Sequence, residues 1–203
     1  KSQFKGLQLI SMITKMPFLT GAENRASFFK RVSIYYPTLD PRYKLIEKAY
    51  NDAKDAFRGI LRDDGETRYF EHIRAVALIL LDYLRTRDFE IIIAALLHDI
   101  VEDKDEWTIE RVKNEYGERV ALLVEYLSKP SKEEYPNPRE RESIYHSRFE
   151  SAPREFFLIK LADRFHNMST LWTCTEEKRK RKVEETRRYY MPQAEKHLIL
   201  LHE

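Results

Sequence analysis

The sequence predicts an all-α, multi-helix domain, and three observations carry that reading. Glycine is scarce, 5 in 203 residues, and proline modest at 8, too few to punctuate a turn-rich β-sandwich or barrel. Apolar residues recur at helical spacing along most of the chain. Start and stop signals flank those segments at intervals of helical length. A chain of this length hides enough apolar surface to need no staple.

Residues 1–36 read as an N-terminal arm to which the sequence assigns no role, and residues 37–203 as the main domain. In the arm, Phe4, Leu7, Leu9, Ile10, Met12, Ile13 and Met16 suggest a short helix that Pro17 and Gly21 interrupt. Asp40-Pro41 is an N-cap followed by proline at the first helical position, and the helix it opens runs to about Phe57 before Gly59. Arg62–Thr67 is a polar turn holding Asp63-Asp64-Gly65. The next helix spans about Tyr69 to Arg85. Asp88 caps another that continues to about Val101 and is apolar nearly all round, the mark of a central, buried helix. Thr108–Tyr116 closes at Gly117, and Glu118–Leu127 follows. Ser128–Pro138, with three prolines, is a loop of a length that often serves function. Helices near 139–149 and 153–172 come next, then a pair over 175–190 and 192–202.

Composition excludes several classes. With 34% charged and 42% hydrophobic residues the chain is neither disordered nor an all-apolar membrane protein. The longest apolar runs, Ala75–Leu81 and Ile91–Leu97, are far short of the roughly 20 residues of a membrane span, so no membrane association is expected. The 36 basic residues are balanced by 34 acidic ones, which gives no charge-based reason to expect DNA or RNA as a partner. No secretory leader is visible and Cys174 is alone, so a cytoplasmic setting without disulfides is expected, and a Cys-rich zinc site is excluded. The run Lys178-Arg179-Lys180-Arg181-Lys182, flanked by Glu176, Glu177, Glu184 and Glu185, reads as a solvated helix face rather than a phosphate site.

The chemistry concentrates in three places. His98-Asp99 ends the apolar helix, where two ionisable neighbours are costly unless paired or metal-bound, and Glu102-Asp103 follows one turn later. Asp163 and Asn167 in LADRFHNM share a helix face with Thr170, at i, i+4 and i+7. His72 opens a third helix. The mixed N/O set His72, His98, Asp99 and Asp163 suits Mn, Fe or Zn better than calcium, and without a thiolate it fits an open catalytic site.

The strings ETRYFEHIRAVA, ALLHDIVED and LIKLADRFHNMSTL, in this order between about Asp40 and Leu171, resemble the HD-domain hydrolases of the Rel/Spo type. Those enzymes remove the 3′-pyrophosphate of the alarmone (p)ppGpp. The resemblance implies an HD phosphohydrolase fold and one Mn²⁺ held by His72, His98, Asp99 and Asp163. It makes Glu102 and Asp103 the pair that orients and activates water. It also makes Asn167 a ribose contact, Thr170 a nucleotide-pocket residue and Arg62 an arginine that packs on guanine. Lys160 falls in the matched string without an assigned role. The expected partner is a small nucleotide, ppGpp or pppGpp, and the chain looks like a stand-alone small alarmone hydrolase or the hydrolase part of a longer protein. Lys104 and Ser169 stand where the family has Thr and Arg, one extra residue lies between Gly65 and His72, and Asp63-Asp64 stand where the family often has a basic residue and a serine. These departures bear on substrate. The alternatives are the same chemistry on another nucleotide such as NADPH, or a catalytically silent nucleotide-sensing module.

Overall fold

The computed structural model describes residues 23–197, and the short helix expected at 4–16 lies outside them. The fold is all-α: the described residues hold no β-strand, only a two-residue bridge between Leu61 and Arg68. The order is α1 (Arg25–Tyr35), α2 (Pro41–Ala56), α3 (Tyr69–Leu78), α4 (Phe89–Leu96), α5 (Ile100–Asp103), α6 (Ile109–Tyr116), α7 (Glu118–Leu127), α8 (Pro138–Ser147), α9 (Arg154–Ser169), α10 (Glu176–Glu185) and α11 (Met191–His197). No helix among the described residues is long and apolar enough to cross a membrane.

Capping follows the signals in the chain. The side chains of Asn24, Asp40, Asp88, Thr108, Asn137 and Thr175 each accept a hydrogen bond from a first-turn N–H. Gly117 sits at φ +94, a backbone that L side chains rarely adopt, and this lets α6 end and α7 begin with no linker. The described part of the arm joins the core: Phe28 and Phe29 of α1 lie against Tyr50 of α2, with ring centroids 5.0 and 5.1 Å apart, and Tyr50 meets Phe70 of α3 edge-on at 4.9 Å. Helix α4 is the centre, with Ile91 through Leu96 all buried, as its all-round apolarity predicts.

Three segments differ from the sequence reading, the first being the helix expected over Tyr69–Arg85, which passes at Leu78 into a π turn over Ile79–Tyr83. The helix expected from Asp88 to Val101 is two helices. Leu97 N–H bonds the carbonyls of both Ile93 and Ala94, and Ile100 N–H bonds Leu97 O, so the chain tightens into a turn over Leu97–Asp99. The imidazole of His98 takes the Ala95 carbonyl at 2.7 Å, which a continuous helix would have offered to Asp99 N–H. Near the C-terminal end, α10 runs on through a π turn over Thr186–Tyr190 into α11, and Pro192, which has no N–H to donate, follows at once.

The late helices are clasped to α9 by a buried ion pair. Arg164 donates twice to Glu185, at 2.9 and 3.1 Å. Burial opposes the charge on Glu185, but His146 and Arg164 outweigh it and hold the carboxyl down at about 2, against an ordinary 4.5. A depressed carboxyl pKa stabilises the fold above the unfolded value and loses that contribution as pH falls. Glu185→Gln should therefore lower stability by about 3 kcal/mol at pH 7. The difference from wild type should vanish between pH 4.5 and about 2, as read by urea denaturation across that range.

Candidate metal centre and active site

Three elements bring the candidate metal ligands to one cleft of about 310 Å³. Helix α3 supplies His72, the turn between α4 and α5 supplies His98 and Asp99, and α9 supplies Asp163 and Asn167. The break in the predicted long helix is what turns His98 and Asp99 toward the other two helices. His72, His98 and Asp99 present ligand atoms within 4.8 Å of one another. His72 Nε2 lies 3.2 Å from Asp163 Oδ1 and 4.0 Å from Asp99 Oδ2. His98 Nε2 lies 3.1 Å from Asp99 Oδ2 and 3.9 Å from Asp163 Oδ1.

These side chains are aimed and held. Tyr69, one turn before His72, donates its hydroxyl to Asp99 Oδ2 at 2.6 Å. Lys160 engages the far oxygen of Asp163, Oδ2, at 3.0 Å, and Asn167 donates to Oδ1 at 2.5 Å. His98 Nε2 is buried and, with Asp99 at 3.1 Å, still has no partner in hydrogen-bonding geometry. An orphaned imidazole nitrogen facing two carboxylates fits a cation.

The electrostatics agree. Burial pushes His72 down to about 4 against the pull of Asp163. Burial also opposes charge on His98, but Asp99 and Asp163 outweigh it and raise His98 to about 9. Both carboxyls stay ionised despite burial, Asp99 through His98 and Asp163 through Lys160 and His72. Without a cation, a proton on His98 balances the carboxylates. A divalent ion would take over that balance and release the proton. The donor set, two imidazoles and two carboxylates, fits such an ion.

Glu102 and Asp103 lie on α5, on the wall of the same cleft. Burial first, then the neighbouring Asp99 and Glu102 carboxylates, push Asp103 up to about 6. Glu102 Oε2 accepts from Lys129 N at 3.2 Å, so the three-proline loop is docked to the site. At the other end Arg62 Nη2 lies 3.3 Å from Asn167 Oδ1 and 3.2 Å from Thr170 Oγ1. Seven of the nine residues singled out from the sequence line this cleft, and the other two, His98 and Thr170, lie against Asp99 and Arg62 at its edge.

The departures from the family pattern have structural answers. Asp63 pairs with Lys178 at 2.6 Å and accepts from the Cys174 thiol at 3.4 Å. Asp64 turns back into its own loop, accepting from the N–H groups of Glu66 and Thr67 and from the Thr67 hydroxyl. Neither is left as free negative charge. Lys104 lies 5.1 Å over the Phe57 ring, and the Ser169 hydroxyl bonds the His166 carbonyl at 2.8 Å.

The basic run, expected to be a solvated face, is so only in part. Lys178, Arg181 and Lys182 line the cleft with Glu185. Burial, together with Lys178 and Arg62, holds the Lys182 ammonium below its usual pKa. The spacing i, i+3, i+4, i+7 of these four residues was the available signal, obscured by the unbroken basic run in which three of them sit.

Comparison with known proteins gives matching results. A family profile described as HD domain matches residues 49–199. The guanosine-3′,5′-bis(diphosphate) 3′-pyrophosphohydrolase of Aquifex aeolicus is 41% identical over 151 residues, 73% of this chain and 21% of that protein. The bifunctional (p)ppGpp synthase/hydrolase SpoT of Escherichia coli K12 is 37% identical over 166 residues, 80% of this chain and 23% of that protein. The chain thus spans about a fifth of the length of these curated relatives. A solved structure of a metazoan SpoT ortholog that hydrolyses ppGpp superposes with a TM-score of 0.62 at 28% identity, over 77% of this chain and 85% of that one.

Proposed function

Because the chain belongs to the HD-domain family, we propose that it removes the 3′-pyrophosphate of (p)ppGpp, giving GDP or GTP and pyrophosphate, with one Mn²⁺ held by His72, His98, Asp99 and Asp163. The observation that carries this reading is the convergence of those four donors beside Glu102 and Asp103, in a cleft whose far wall is cationic. The substrate is taken from the relatives, which act on this nucleotide by name.

When bound, the ion supplies Lewis-acid polarisation of a phosphoryl oxygen and a lowered pKa for nearby water. The chain's own residues do the rest. Asp103, raised toward neutrality by burial and by its acidic neighbours, is suited to take the proton from the attacking water. Glu102, fixed by Lys129 N, orients that water. The new bond forms at the phosphorus attached to the ribose 3′ oxygen. The bond to that oxygen breaks, and the leaving oxygen acquires a proton. Arg62, Asn167 and Thr170 hold the nucleoside end. Lys182 and Arg181 face the phosphates, where charge builds and fixed cations have most effect.

Arg62→Ala should raise KM about tenfold or more while lowering kcat little, as for a contact made equally in ground and transition states. Unchanged steady-state kinetics would remove Arg62 from the pocket. The substrate itself is tested with Mn²⁺-loaded protein against ppGpp, NADPH and ordinary nucleotides, followed by chromatography. GDP and pyrophosphate from ppGpp are expected. Phosphate from NADPH with ppGpp untouched would move the substrate while keeping the chemistry.

A further inference from the structure

His166 lies inside the LADRFHNM string, is buried, and has no part in the mechanism above. Its Nδ1 is 2.8 Å from Nδ1 of His72, and the two rings have centroids 4.8 Å apart. A neutral imidazole carries one N–H, so its two nitrogens cannot both offer lone pairs without loss of that proton. For His72 Nε2 to face an ion, the proton must sit on Nδ1 and find an acceptor there. His98 meets the same need in the usual way: its Nδ1 faces the Ala95 carbonyl at 2.7 Å, and a carbonyl can only accept. His72 has no such carbonyl. Its Nδ1 faces another imidazole, which can donate or accept.

Two arrangements are therefore open to the pair. In one, His72 Nδ1–H donates to His166 Nδ1 and His72 Nε2 is a free ligand. In the other, His166 donates, and the His72 proton moves to Nε2, pointing at Asp163 Oδ1, 3.2 Å away. Only the first can hold a cation.

We propose that His166 is a positioning residue for the metal centre: by accepting from His72 Nδ1 it fixes the ligand tautomer of His72. This rests on the reading of His72 as a metal ligand. Partners of this kind influence metal affinity by about 10–100-fold.

The test compares Mn²⁺ affinity, by calorimetry on the chelated full chain, in wild type, His166→Phe and His166→Asn. Phenylalanine fills the site without an acceptor. Asparagine places Oδ1 close to where Nδ1 stood. The phenylalanine variant should bind Mn²⁺ about 10–100-fold more weakly, with the metal-free helical content unchanged, and asparagine should restore affinity to within about threefold of wild type. Wild-type affinity in the phenylalanine variant, or equal loss in both, overturns the proposal. Ring ¹⁵N–¹H correlations of the Zn²⁺-loaded wild type test it without a variant. His166 should carry its proton on Nε2, and a proton on Nδ1 overturns the assignment. Wild-type protein that binds no divalent ion would instead overturn the metal reading from which this follows.

Discussion

Asp99→Ala should abolish divalent-metal binding and turnover together. Asp99 Oδ2 is the carboxylate oxygen that faces both imidazoles, 3.1 Å from His98 Nε2 and 4.0 Å from His72 Nε2. Alanine leaves His98 with no opposing charge closer than Asp163 at 3.9 Å. It also removes the acceptor of the buried Tyr69 hydroxyl. One negative charge and one donor atom go from a set of four, and the ion contributes several kcal/mol to charge stabilisation in reactions of this class. A loss of about 10³-fold or more in kcat/KM is expected, with no bound metal by elemental analysis after desalting. Circular dichroism should still show the helical fold, because Asp99 sits in a turn at the cleft and the apolar face of α4 behind it is untouched. Retained metal and activity would refute the ligand assignment.

The second large effect separates chemistry from metal binding. Glu102→Gln should keep one ion per chain and lower kcat by about 10²-fold, the cost of a misplaced attacking water. The amide still offers an oxygen to Lys129 N–H, so the loop after α7 stays docked. Glu102 is not among the four converging donor atoms, so the ion has no reason to leave. What is lost is a carboxylate beside the attacking water, one that also helps raise Asp103. A near-normal rate in this variant would remove Glu102 from the mechanism.

Much of this was legible in the chain. Caps at Asp40 and Asp88, the glycine stop at Gly117 and the all-round apolarity of Ile91–Leu96 set the elements and the centre of the fold. The site residues were legible because their types are expensive in apolar surroundings and because they recur in strings with fixed spacing. The break at Leu97–Asp99 was not legible. The apolar pattern runs through it unbroken, and the turn is set by a side-chain to backbone bond, His98 to Ala95 O, that periodicity does not encode. The inward stripe of α10 was hidden for another reason. Its cations form one unbroken run, Lys178–Lys182, that faces all ways round the helix, and only packing decides which face is covered. The compensation of Asp63 by Lys178 joins residues 115 positions apart, beyond any local rule.

The central claim is that the four-donor cluster makes this chain a metal-dependent (p)ppGpp hydrolase. The most direct measurement is ppGpp turnover by chelated protein titrated with Mn²⁺, with products resolved by chromatography. The account predicts no activity at zero metal, a rise to a plateau at one ion per chain, and GDP and pyrophosphate in equal amounts. Full activity in the chelated protein, or no GDP and pyrophosphate at full occupancy, would contradict it.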